Sequence, residues 1–460
     1  MTKANKVQKR NRKGLKGSNS SLLTLNSSLS LNVAVVGVGY VGLVTAACLA
    51  SVGHRVIAID SDPRKIDMLE KGQIPIFEAG LESMVKETVK SRRLRFARRL
   101  ADVLEEVTIV FICVGTPPRA SGDADLSAIE QVTREIAEHM RSYKLIVGKS
   151  TVPVKTGEWI KRTMDMYGKP HLEYDVASNP EFTREGAAVE DFMKPDRIVI
   201  GVETKRAEEL LRRLYRPFDA KILMTNIPTA ELIKHASNSF LAMKISYINF
   251  LSQICEKTGA DITQISEGMG TDPRIGAAFL KPGPGYGGFC FPKDAQAFIA
   301  IADKLGMPFH LMKEVEAINA SQKEFTFRKI EKALWVLKGK TLAVLGLAFK
   351  ANTDDTRLSP AVEIVRRLLE EGAVVRAYDP KAMERAKAEL LELQCVESPY
   401  DAMRGADALV ILTEWKEFEK LDWSKVKKLL KTPTVVDARN LYDPAEMKRL
   451  GFHYTSIGRS

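Results

Sequence analysis

The stretch LNVAVVGVGYVGLVTAACLASVGHRVIAID (residues 31–60) restricts this chain to one broad class of fold. VAVV is a short β-branched strand. The turn Gly37-Val38-Gly39-Tyr40-Val41-Gly42 opens a helix of small apolar residues, and HRVIAID is a second strand. Glycines at these places allow a tight turn, close approach of a pyrophosphate to the backbone, and close packing of helix on strand. The free N–H groups and dipole of the helix start favour phosphate charge. Asp60 closes the second strand, 18 residues beyond Gly42, where a carboxylate can bond a ribose 2′-hydroxyl. The same carboxylate repels a 2′-phosphate, so NAD is expected rather than NADP. A lone GxGxxG says little; strand, helix, strand and acid together predict a dinucleotide-binding βαβ unit.

The βα rhythm continues. VTIVFICVGTPP (107–118) reads as a buried strand with Thr116 at its carboxyl end, and LIVGKSTVPVKTGEWI (145–160) repeats the pattern with Ser150 and Thr151. VASNPEFTREG (176–186) brings Glu181 and Glu185 to the same edge, and IVIGV (198–202) is expected to close the unit. Open α/β sheets bind ligands at that edge. Capping or surface charge explains each glutamate equally well on its own; polar groups at successive strand ends suggest a shared cleft.

At 460 residues the chain is too long for one core, and two or three domains are expected. No apolar run is long enough to cross a membrane. The five cysteines are scattered, odd in number and without CxxC spacing. That argues against a disulfide framework or zinc ribbon and for a reducing, cytoplasmic setting. Net charge is +11, but residues 1–30 carry seven Lys/Arg and no acid, which leaves +4 on the rest. This modest excess suits an anionic small substrate without requiring nucleic acid. The tail itself is polar and aromatic-free and is expected to be disordered. A targeting segment or a nucleic-acid arm fits it, but a solvated extension, or a start codon placed too early, is the favoured reading.

From Pro228 the pattern changes. TAELIKHASNSFLAMKISYINFLSQICEKTG has no proline or glycine until Gly259, and its apolar residues recur every three or four positions. It predicts a helix of about 40 Å at 1.5 Å per residue, capped at Thr229 and stopped at Gly259. Lys234 and Asn238 share one face, as a surface pair or as part of a site. Then comes KPGPGYGGFCFPKD (281–294). Its glycines let a bulky polar ligand lie on backbone N–H groups. Cys290 beside Lys293 and Asp294 has the parts for covalent catalysis: a nucleophile, a charge that favours thiolate, and a base. A glycine-proline loop with a buried cysteine is the plainer reading. GKTLAVL (339–345) restarts a strand, followed by GLAFKANTDDTR, a helix, and the strands VVRAYDP, ALVILTEW and TVVDARN. A second, smaller doubly wound domain is predicted, without a full GxGxxG, and with Lys350, Arg357 and Arg439 near its strand ends for a phosphorylated ligand.

With GVGYVG, CVGTP, KSTVP, SNPEF, KHASNSFLA, GYGGFCFPKD and GLAFK present in that order, the chain resembles the UDP-glucose/GDP-mannose dehydrogenase family over about residues 31–450. FPKD looks more like the UDP-glucose branch than the N-acetyl-amino-sugar branch. The resemblance implies two Rossmann-like doubly wound α/β domains joined by a long central helix: a tail (1–30), an NAD-binding domain (31–226), a central dimerisation region carrying the cysteine loop (227–330) and a UDP-sugar-binding domain (331–460). It implies four-electron oxidation of UDP-glucose at C6 with two NAD⁺, through a thiohemiacetal and a thioester on Cys290. In that scheme Lys234 and Asn238 stabilise oxyanions, Asp294 and Glu181 are general bases, and Thr151 places water. Glu185, Thr116, Thr151, Arg357 and Lys65 join the glycine turn and Asp60 at the cofactor. Glu181, Phe182, Thr183, Lys234, Asn238, Lys281, Gly285, Tyr286, Gly287, Phe349, Lys350 and Arg439 meet the substrate. Arg274 matches an arginine that reaches a neighbouring subunit's site, so a homodimer is implied, and neither a metal, nucleic acid nor a membrane. Two positions depart from the family's pattern. Phe289 stands where serine is usual and is expected to tighten the sugar pocket. Thr183 stands where leucine is common and is expected to act through its backbone.

Overall fold

The computed structural model describes residues 30–119 and 122–459. The tail at residues 1–29, expected to be disordered, lies outside the described residues. Eight strands form the first sheet: β1 (Asn32–Val36), β2 (Arg55–Ile59), β3 (Leu94–Ala97), β4 (Ile109–Ile112), β5 (Lys144–Gly148), β6 (Tyr174–Ser178), β7 (Arg197–Gly201) and β8 (Lys221–Thr225), in the order 3-2-1-4-5-6-7-8. β1 to β6 run parallel, and β7 reverses against β6. The central strands are buried along almost their whole length and pack apolar clusters on both faces of the sheet. That is why they read as unbroken apolar runs. IVIGV does not close the unit as expected: a helix (Lys205–Tyr215) and β8 follow. β8 is partly exposed throughout, an edge strand that lacks the uniform apolar signature of its neighbours.

The long helix spans Ile227–Thr258, 32 residues. Its cap is Asn226, not Thr229: the Asn226 side chain accepts a hydrogen bond from the Thr229 N–H at 2.9 Å, with Pro228 in the first turn. Gly259 ends it in the left-handed region, at φ +76°. A second long helix, His310–Leu334, packs along it and was not anticipated. Its buried stripe is interrupted by Asn319, Gln322 and Thr326, which weakens the apolar period.

The second sheet holds β9 (Thr341–Leu345), β10 (Val374–Tyr378), β11 (Gln394–Cys395), β12 (Ala408–Ile411), β13 (Thr434–Asp437) and β14 (His453–Ser456), in the order 11-10-9-12-13-14, all parallel. The four strands read from sequence are present. The two missed ones are outermost and short or polar. Among the described residues no helix is long and apolar enough to cross a membrane.

Candidate active site between the two sheets

The first cleft opens over the carboxyl ends of β1, β2 and β4, with a volume of about 1160 Å³. Gly37 adopts φ +98°, and a Cβ at Gly42 would lie 1.7 Å from the Gly37 carbonyl oxygen, so the turn closes only with glycine. Gly39 caps the helix Tyr40–Ser51 without a side-chain bond, and a Cβ built there meets nothing within 4 Å. The helix start therefore presents open, unsatisfied N–H groups, which fits a pyrophosphate. Tyr40 and Val41 line the cleft; Val38 and Gly42 are buried behind it. Asp60 accepts from the Val38 N–H at 2.9 Å and pairs with Lys65 Nζ at 3.1 Å. Thr116 donates to the Thr151 carbonyl at 3.0 Å, and both line the cleft. Arg357 forks onto Asp355 at 2.8 and 2.7 Å and lies 3.8 Å from Glu185. Burial, with Asp355 alongside, pushes Glu185 up to about 7.

The second cleft, about 1500 Å³, meets the first at Glu181, Thr183, Glu185, Phe289 and Cys290. The predicted loop ends sooner than expected. Cys290 is the first residue of a helix, Cys290–Lys304, not part of the glycine-rich turn. The turn lies so close to the second sheet's domain that a Cβ at Gly287 would stand 2.1 Å from the Leu358 carbonyl oxygen. The helix His310–Leu334 holds it: Asn319 bonds both the N–H and the carbonyl of Tyr286, at 2.8 and 3.1 Å, and Gln322 donates to the Gly283 carbonyl at 2.9 Å. From the long helix, Asn249 accepts from the Gly283 N–H at 2.9 Å. The sequence reading missed these three amides; polar residues placed on a buried helical stripe were the available signal.

Around the thiol, Lys234 Nζ bonds Glu181 at 2.8 Å and Asn238 donates to Asp294 at 2.6 Å, with all four residues buried. Asp294 also takes Lys293 Nζ at 2.8 Å. It lines neither cleft and stands behind Asn238. Burial would raise Glu181, but Lys234 and Thr183 hold it below the usual carboxylate value. Lys234 is in turn held above the usual lysine value despite burial, by Glu181, Asp294 and Cys290. The expected charge that favours thiolate is overridden. Burial, aided by Glu181, pushes the Cys290 thiol up to about 12, against the pull of Lys234. Thr183 also departs from expectation: its hydroxyl as well as its N–H donates to Glu181, at 2.8 and 2.7 Å. Phe182 lies under Arg197 and Lys234. Lys149, in the KSTVP segment, went unnoticed. Its ammonium bonds Asn179 at 3.0 Å, fixing the segment before Glu181, and burial pulls it down to about 8.

Phe349, Lys350, Arg439, Lys281, Gly285 and Tyr286 line the same cleft away from the thiol. Burial draws Lys350 below the usual lysine value. Arg439 donates to the carbonyls of Leu412 and Phe349 at 2.8 and 3.0 Å, with Nη1 directed at Gly283. Arg274 does not join the cleft: it pairs with Asp272 of its own turn and is 87% exposed.

Three family profiles match in register with this layout. They are the NAD-binding domain of the UDP-glucose/GDP-mannose dehydrogenase family over residues 31–219, its central domain over 228–321 and its UDP-binding domain over 343–444. The chain belongs to the UDP-glucose/GDP-mannose dehydrogenase family. It is an NAD-dependent dehydrogenase built for a nucleotide sugar. A UDP-glucose 6-dehydrogenase of Rhizobium meliloti (strain 1021) is 46% identical over 436 residues, covering 93% of this chain and all of that one. The structure of a UDP-glucose dehydrogenase from Pyrobaculum islandicum matches with a TM-score of 0.87 at 38% identity, over 94% of this chain and 98% of that one. A UDP-D-ManNAc dehydrogenase from Pyrococcus horikoshii matches at 0.83 and 30%, over 93% and 99%.

Proposed function

We propose that this family member oxidises UDP-glucose at C6 to UDP-glucuronate, two hydrides being removed per substrate. The observation that carries the reading is Cys290 at the junction of the two clefts, against Glu181 and Lys234 and near the Asn238–Asp294 pair. The 46% identity to a curated UDP-glucose 6-dehydrogenase favours this sugar. Bound NAD supplies the hydride acceptor for each oxidation.

Lys281, Lys350 and Arg439 offer cations for the diphosphate, and the 283–287 backbone carries the rest of the nucleotide sugar. Lys234 and Asn238 face the C6 oxygen and stabilise negative charge there as it loses its proton. Glu181, held ionised, receives that proton. The resting Cys290 is a thiol, so adding it to the C6 aldehyde requires the sulfur proton to leave as the carbon–sulfur bond forms; the aldehyde oxygen, held by Lys234 and Asn238, becomes the hydroxyl of a thiohemiacetal. Glu181 passes its proton to solvent between steps, and removal of the second hydride, with the hydroxyl proton going to Glu181, leaves a thioester; Glu181 is again deprotonated by solvent. Water placed by Thr151 and deprotonated by Glu181 attacks it, releasing the carboxylate and restoring the thiol. Asp294 acts from behind, orienting the Asn238 amide that it accepts from. Arg274 serves a second copy: the exposed Phe240, Tyr247, Phe250 and Ile254 on the long helix supply an apolar face for a homodimer. The free cysteines suit a reducing, cytoplasmic setting.

Initial rates with UDP-glucose, GDP-mannose and UDP-N-acetylmannosamine test the sugar. UDP-glucose should give the highest kcat/KM, and Cys290→Ser should abolish UDP-glucuronate formation. A preference for either other sugar nucleotide, or acid formation by Cys290→Ser, would refute the proposal.

A further inference from the structure

Phe289 precedes the nucleophile and lines both clefts. Its ring has two cations against it, one from its own helix and one from the loop before the helix at Pro360. The Arg357 guanidinium carbon is 4.3 Å from the ring centroid, and Lys293 Nζ is 5.6 Å from it. Each cation is tied to a buried carboxylate: Arg357 to Asp355, and Lys293 to Asp294, which holds Asn238. The Gly288 N–H donates to the Arg357 carbonyl at 3.0 Å, so backbone and ring address the same arginine. Phe289 is also the N-cap of the Cys290 helix, where its ring has no acceptor with which to cap the helix. Arg357 is half-exposed at the cofactor cleft, and a long cation there loses rotamer freedom when it contacts a ligand. An aromatic face that already holds the guanidinium reduces that loss.

We infer that Phe289 is a positioning residue for the cofactor: its ring pre-orients Arg357 at the mouth between the clefts, and so sets affinity for NAD rather than for the sugar nucleotide. This rests on the assignment of the first cleft to NAD. It gives the ring before the nucleophile a role on the cofactor side, where the sequence had suggested a tighter sugar pocket.

The test is the NAD dissociation constant of the full chain by titration calorimetry without sugar nucleotide, so the result does not depend on which sugar is oxidised. Phe289→Leu keeps the apolar bulk and removes the π face; Phe289→Tyr keeps both. The dissociation constant should rise about 3- to 30-fold in Phe289→Leu, the span of a partly desolvated cation–π contact. It should stay within about 2-fold in Phe289→Tyr, by the same contact. In an Arg357→Gln background Phe289→Leu should add nothing, because the two residues act as one unit. KM for UDP-glucose should be unchanged in both single variants. Equal affinities in Leu and Tyr variants, full additivity with Arg357→Gln, or an effect confined to KM for UDP-glucose would overturn the inference. Should Phe289→Leu fail to fold, Phe289→Met makes the same comparison. Wild-type enzyme that binds NAD but leaves UDP-glucose untouched would refute the proposed substrate and leave this test standing.

Discussion

The two sheets begin alike and diverge within a few residues. In each, the first strand runs into a glycine in the left-handed region, Gly37 at φ +98° and Gly346 at φ +96°. Each glycine N–H donates to the last residue of the second strand, Ile59 at 2.7 Å and Tyr378 at 2.9 Å. Each second strand is followed by an aspartate, Asp60 and Asp379. In the first sheet the helix starts at Tyr40, and Asp60 faces the cleft. In the second the helix waits until Pro360. Asp379 is fully buried, accepting from the N–H groups of Leu347, Ala348, Lys381 and Ala382 and from Trp415 Nε1 at 2.8 to 3.1 Å. A carboxylate saturated by its own protein has nothing left for a ribose. One topology thus opens its turn and aspartate onto a dinucleotide site in one half and forms a wall of the second cleft, with its aspartate sealed inside, in the other.

The largest effect should fall on the wall. Asp379→Ala leaves several buried donors unpaired and should cost about 4 kcal/mol of stability, read as a lower denaturant midpoint. A loss under about 1 kcal/mol would break the contrast. Asp60→Ala leaves one buried donor, the Val38 N–H, unpaired, so it should lower the midpoint by clearly less than Asp379→Ala, raise KM for NAD about 10- to 100-fold by losing charge-assisted bonds, and narrow the preference for NAD over NADP. If the two aspartates behaved alike, the comparison would fail.

The seam between the halves supplies the next test. With the Cys290 thiol pushed up to about 12 by burial, its thiolate is scarce at neutral pH. Alkylation of Cys290, followed by mass spectrometry, should accelerate about tenfold per pH unit from 8 to 11. A plateau below pH 9 would mean that Lys234 wins over burial. The smallest effect is expected at Thr183. Its hydroxyl helps hold Glu181 ionised, so Thr183→Val should raise the Glu181 pKa. With Glu181 as the proposed base, the acid limb of kcat/KM should move to higher pH by about half a unit. An unmoved limb would return Thr183 to a backbone role.

What the sequence disclosed was local. The turn at Gly37–Gly42, Asp60 after β2, and the Gly/Pro-rich approach to Cys290 each carry their chemistry within a few residues. Lys234 and Asn238 on one helix face and Asp294 beside Cys290 were visible as candidates, the family resemblance supplied their roles, and the structure brings them together. The rest depends on contacts between distant segments. Asn319 and Gln322 matter because they reach a loop more than thirty residues earlier in the chain. β8 and β14 are partly exposed strands that lack an unbroken apolar run. The thiol's protonation depends on how deeply the helix start is buried, which neighbouring Lys293 and Asp294 could not reveal. Thr183 looked incidental until its hydroxyl was seen on Glu181, two residues away.

The proposal that Cys290 carries the substrate through both oxidations is tested most directly by NADH formed per UDP-glucose consumed, with enzyme and NAD⁺ in excess. A ratio near two is expected from the covalent route. A ratio near one would mean that the reaction stops at the aldehyde, and the thioester on Cys290 would have to be abandoned.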